Sequence, residues 1–185
     1  MSDLNHEEIR KRFEQSNSFN DIFEAFEQAM QKRIDDIGLY RSLFWNHTLT
    51  LEEICMFGEH LAEQIPAVAY DSYMWLANVF AITQSANDNF ALAVKYYQKA
   101  ASSRPAETSP YLDAADCYNH DLNIPSMDVL IEFLKKGSEI VPAPKPLFQR
   151  LSIFFELKGN DEMSQFYRRK AGTEPPSFND SRSTR

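Results

Sequence analysis

The sequence predicts an all-α chain made of consecutive helix pairs, and three observations carry that expectation. Only 5 glycines occur, and valine, isoleucine and threonine together number 22 of 185 residues, too few stiff β-branched side chains and turn glycines for a sheet-rich protein. Apolar residues recur instead at helical spacing, three and four apart. The intervals between these stripes hold the prolines, glycines and capping side chains that stop and start helices.

Taken in order, residues 1–37 read as a helical N-terminal extension, with Ile22, Phe26, Ala29 and Ile37 near one face of a helix over about residues 20–36. Leu51, Ile54, Cys55, Gly58, Leu61 and Ile65 mark the next helix. Thr50 caps it, Glu53 reaches back to complete a capping box, and Pro66 ends it. Tyr70, Tyr73, Met74, Ala77, Phe80 and Ala81 predict a helix over 67–85, and after the polar break at 85–89 its partner carries Ala93, Val94, Tyr97, Ala100 and Ala101. The next helix is expected over Ser109 to His120, with Ser109 as cap and Pro110 at the first helical position. Its partner spans Ser126 to about Ile140. A last pair runs from Pro146 to Leu157, turns at Gly159 and Asn160, and resumes through Met163, Phe166 and Tyr167 to Ala171. Residues 173–185 read as a flexible tail.

A composition 43% hydrophobic and 25% charged, with 14 Phe, 8 Tyr and 2 Trp, supplies a sizeable core and excludes wholesale disorder. The length predicts one compact unit. The net charge of −8 repels polyanions, so nucleic acid is not an expected partner. That charge is uneven, at −7 over residues 1–66, +1 over 67–104, −5 over 105–144 and +3 over 145–185. No apolar run is long enough to span a bilayer and the first residues carry acids, which makes the cytoplasm the expected location and a membrane no partner. Cys55 and Cys117 are too few for a disulfide framework and read as reduced core residues.

The helix pairs repeat. Tyr73-x2-Leu76-Ala77-x2-Phe80 precedes Ala93-x3-Tyr97, Ala100 and Pro105. Tyr111-x2-Ala114-Ala115-x2-Tyr118 precedes Leu130-x3-Leu134, Gly137 and Pro142. Phe148-x2-Leu151-Ser152-x2-Phe155 precedes Gly159, Ser164, Ala171 and Pro176. Small residues at the contact points let two helices approach, large ones plug the neighbouring pair, and proline ends the unit. In these positions the chain resembles the tetratricopeptide repeat family. Pro142 and Pro176 are 34 residues apart, the family period, while Pro105 and Pro142 are 37 apart, which predicts about one added helical turn. The resemblance implies a right-handed α-solenoid of stacked antiparallel pairs. Its parts are an N-terminal cap at 1–37, a degenerate repeat at 38–66, repeats at 67–105, 106–142 and 143–172, and the tail. No unit keeps the family's full Trp, Leu-Gly, Tyr set, so an unrelated helical bundle is the competing fold.

The resemblance also implies a concave groove lined by the first helix of each pair. The matching positions are Met74, Trp75 and Asn78, then Leu112, Asp113, Asp116 and Asn119, then Gln149, Arg150 and Ile153. An extended peptide or a helix of a protein partner would lie there. Some family members clamp a C-terminal carboxylate, but the asparagine-like positions here are Trp75, Asp113 and Arg150, so no such clamp is expected. Asp113 and Asp116, three apart on a helix, favour a basic or amide-rich ligand, or form a solvated polar face. Trp75 reads either as a binding anchor or as core.

No catalytic residue, metal ligand or cofactor is assigned. Asp113, Asp116, Cys117 and His120 suggest a metal only until their directions are considered, because Cys117 should face the core and the acids away from it. His6, His47 and His60 lack ligand spacing, and phosphate-loop, dinucleotide, zinc-protease, serine-hydrolase and calcium-loop motifs are missing from the sequence. Carboxylate catalysis leaves no short signature, so an enzyme stays a distant alternative. The run Arg168, Arg169, Lys170 reads as a helix end complementing its dipole. The leading expectation is a non-enzymatic interaction module for a protein or peptide with a basic or amphipathic segment. Residues 110–118, PYLDAADCY, weakly echo the small tetratricopeptide chaperones of type III secretion, which makes a client-holding chaperone one alternative. Homo-oligomerisation through the apolar end of the stack is another.

Overall fold

A computed structural model describes residues 3–83 and 88–173; the tail from residue 174 and most of the polar break after Thr83 lie outside these. Among the described residues the chain is all-α, with no strand beyond one isolated bridge between Asn119 and Ile124. It divides into two compact units, residues 1–104 and 105–185, where the length had predicted one.

In the first unit, α1 (His6–Gln15) starts at a capping box. The Glu8 amide donates to Asn5 Oδ1 at 3.0 Å and the Asn5 amide to Glu8 Oε2 at 2.8 Å. Its Ile9 and Phe13 are fully buried against α2 (Phe19–Gln31) and α3 (Ile37–Phe44). The buried Asn46 holds the far end of α1, donating from Nδ2 to the carbonyls of Phe13 and Ser16 at 2.8 and 3.0 Å, so helix carbonyls left open by the turn are satisfied. The single helix expected over 20–36 is shorter than its apolar stripe. Arg33 adopts a left-handed φ of +50°, α2 stops, and Ile37 opens α3 instead of closing α2.

Helix α4 (Leu51–Gln64) carries the Thr50 and Glu53 capping box that the sequence predicts. Its Phe57 ring lies 4.8 Å from that of Phe26, and Tyr40 closes on Phe26 at 6.4 Å, so one aromatic cluster joins α2, α3 and α4. Gly58 then lets α5 (Ala69–Ile82) approach, because a Cβ there would sit 2.9 Å from Leu76, and Ser72 donates its hydroxyl to the Gly58 carbonyl at 2.8 Å. Helix α6 (Asp88–Ser103) pairs with α5 through buried Ala77, Ala93, Tyr97 and Ala100. Cys117 is buried, as expected, but Cys55 on α4 is only half-buried.

The second unit packs α7 (Ser109–Asp116) on α8 (Met127–Ile140) and α9 (Lys145–Leu157), with α10 (Asp161–Ala171) folded back on α9 through Gly159 at φ +71°. The short turns before α9 and α10 return each of these helices alongside the one before it. Ser109 is the first helical residue rather than the cap, and no side chain caps α7. Helix α7 also stops at Asp116, before His120. The residues expected to add a helical turn form a loop instead, in which the backbones of Asn119 and Ile124 exchange hydrogen bonds at 2.7 and 3.4 Å.

Candidate partner-binding surfaces

The groove positions on α5 lie in the first unit. Leu76, Ala77 and Phe80 take the buried side of the helix, which leaves Met74 and Trp75 half-buried and Asn78 exposed. The Trp75 ring meets Trp45 edge to face at 5.3 Å, and the Arg41 guanidinium stands 5.8 Å from the Trp75 centroid. Trp75 is therefore a rim residue and not core. Asn78 is engaged within the unit, its Oδ1 accepting from the Tyr97 hydroxyl at 2.7 Å.

Sequence reasoning missed Trp45. Its signal was available, since Leu39, Tyr40, Leu43 and Phe44 already fill the core face of α3 and leave Trp45, at the helix end, 65% exposed. Two large indoles, one of them mostly in water, thus form one amphipathic patch.

The remaining positions belong to the second unit. Leu112 and Asp113 on α7 are half-buried, Asp116 is exposed, and Arg150 on α9 reaches it with a 2.5 Å ion pair. Gln149 and Ile153 on α9 are exposed. Asn119 does not join them on the helix. It sits in the loop after α7, where its Oδ1 accepts from the Leu122 amide at 3.1 Å, a turn-forming role.

The two aspartates therefore differ. Asp116 has a cation, whereas Asp113 has none among the described residues, and burial together with the neighbouring Asp116 charge raises its pKa above the usual 3.8. The sign follows from proton binding. The folded state holds the Asp113 proton more tightly than the unfolded state, so this group's favourable share is full below pH 3.8 and is lost as pH rises through the folded pKa. Above pH 3.8 the raised pKa therefore counts against the folded state. Asp113→Asn should accordingly raise stability at pH 7 and leave it unchanged below pH 3.8, as urea unfolding at the two pH values would record. Equal stability of the two proteins at pH 7 would contradict this.

Asp113, Asp116, Cys117 and His120 do not form a ligand set. The Cys117 thiol is buried and bonded to the Asp113 carbonyl at 3.4 Å, and burial, then the Asp116 and Asp113 charges, push its pKa up to about 12. His120 lies beyond α7 beside Tyr118. Among the described residues no three His, Cys, Asp or Glu side chains converge, and no helix is long and apolar enough to cross a membrane.

No protein-family model and no curated protein matches the chain. A solved structure described as the crystal structure of MamA protein is similar to it at 19% identity, over 89% of this chain and 91% of that one, with a TM-score of 0.41.

Proposed function

We propose that this chain is a non-enzymatic, tetratricopeptide-like scaffold that binds an extended peptide or helix of another protein. The carrying observation is the Trp45 and Trp75 pair. An indole 65% exposed and met edge to face by a second one leaves a large apolar area in water, the kind of aromatic anchor that binding hot spots use. On the other unit, Asp113 offers a half-buried carboxylate with no cation among the described residues, on the same helix as Asp116 of the Asp116 and Arg150 pair, which suits a lysine, an arginine or an amide of the ligand. The chemistry is positioning, and neither surface needs a cofactor.

Affinity capture from native cytosol, read by mass spectrometry, tests this with the wild type and with Trp75→Ala/Asp113→Lys/Asp116→Lys at unchanged helicity. Partners held by the wild type and lost by the variant are the expected result. A folded variant that retains every partner would refute both surfaces.

A further inference from the structure

The outer face of α2 carries a further surface, separate from the two above. Phe19 and Phe23 are 38% and 40% exposed. Their rings stack at 5.9 Å and rest on the buried Phe57 at 5.9 and 6.4 Å, so both are fixed from below and open above. From Phe23 a cleft of about 650 Å³ follows the helix past Glu24 and Glu27, with Asp3 and Lys32 also lining it.

The charges in this cleft are unevenly satisfied. Lys32 is held by Asp3 at 2.6 Å and by the Leu4 carbonyl, and Glu24 is held by Arg12 at 2.6 Å. Glu27, half-buried, has no cation among the described residues, and residues 1–66 as a whole carry −7. Phe19, Phe23 and Glu27 are spaced four apart and form one ridge of α2, the feature that a facing helix accepts into its groove. A cation on that helix would complement Glu27. A second copy of this chain would instead set its own Glu27 and the acidic lining of its cleft against the same face.

We propose that the ridge Phe19, Phe23 and Glu27 docks a basic amphipathic helix of another protein, apolar side chains on the two phenylalanines and a lysine or arginine beside Glu27. This site uses residues other than those of the reading above and shares with it the kind of partner, a protein segment that carries a cation.

The probe is a fluorescein-labelled amphipathic helix of leucine and lysine, titrated into the full chain and followed by anisotropy. Binding is expected to weaken about tenfold in Glu27→Lys and about tenfold in Phe23→Ser, each at wild-type helicity. Glu27→Lys should gain affinity for the matching leucine and glutamate peptide, and Val129→Ser, at an exposed apolar residue of α8 assigned to no surface, should leave the lysine peptide's affinity unchanged. Undetectable binding, equal binding of a scrambled peptide, or wild-type affinity in both folded variants would overturn the proposal. Displacement by a synthetic peptide of residues 174–185 would overturn it by making the chain's own tail the occupant. Loss in Trp75→Ala in place of Glu27→Lys would move the helix to the tryptophan surface, overturning this site and leaving the earlier reading intact.

Discussion

Gly137→Val should destabilise the second unit by about 3 kcal/mol in urea unfolding, although a glycine is being removed from a helix interior. A Cβ built on Gly137 falls 2.6–2.8 Å from Tyr111 Cδ1, Cγ and Cε1, well inside van der Waals contact. Tyr111 has no direction of retreat. Its ring is 1% exposed, Phe133 packs on it with centroids 4.7 Å apart, and its hydroxyl is tied to the Pro105 carbonyl at 3.1 Å. Either α8 moves away from α7 or the tyrosine leaves its rotamer, and both outcomes cost more than the roughly 1 kcal/mol of helix propensity that leaving glycine returns. Unchanged stability would mean that α7 and α8 are not in contact through this pair.

Phe26→Ala should cost the first unit about 4 kcal/mol, the range for emptying a buried phenylalanine site. Phe26 is 1% exposed and contacts Phe57, His60 and Tyr40 at centroid distances of 4.8, 5.8 and 6.4 Å, so its removal opens a cavity where α2, α3 and α4 meet. The neighbours cannot collapse into it easily, because Tyr40 is anchored by a 2.7 Å hydrogen bond to the Ile34 carbonyl. A loss below about 1 kcal/mol, again by urea unfolding, would show that the cluster is not the core of this unit.

Both predictions rest on contacts whose residue types the sequence displays and whose partners it hides. Gly137 is a small residue and Tyr111 a large one on the paired helices α8 and α7, and the Thr50 and Glu53 capping box gives the start of α4 correctly because a cap is a local interaction. Helix α1 is harder to read. Two apolar residues in a charged decapeptide give little periodicity, and the more local sign was its Asn5 and Glu8 capping box. The break at Arg33 has no glycine or proline to announce it: an exposed arginine takes the left-handed position, and the Ile34 amide closes the helix end by donating to the Ala29 carbonyl at 3.1 Å. The early end of α7 is similar: Cys117, Tyr118 and Asn119 are compatible with helix, and the backbone exchange between Asn119 and Ile124 decides against it.

The surfaces were legible only in part. Trp75 and the acidic pair follow from helical register, because register fixes which residues leave the core. Their neighbours do not. Trp45 reaches Trp75 from α3, and Arg150 reaches Asp116 from α9, through packing that one-dimensional spacing does not encode. The ion pair changes the reading of its aspartate, while Asp113 has no cation among the described residues. The Phe19 and Phe23 ridge is invisible in the same way, because their apolar character predicts burial and only the position of α4 shows that their outer edges stay open.

The central claim, that a protein partner covers the indole pair, has a direct optical test. Trp45 and Trp75 are the chain's two tryptophans, so its indole emission reports on that surface and nothing else. Titration with a captured partner segment that itself lacks tryptophan should shift the emission to the blue as Trp45 leaves water, in step with binding measured by calorimetry. Saturable binding with no change in the emission would place the partner elsewhere and contradict the account.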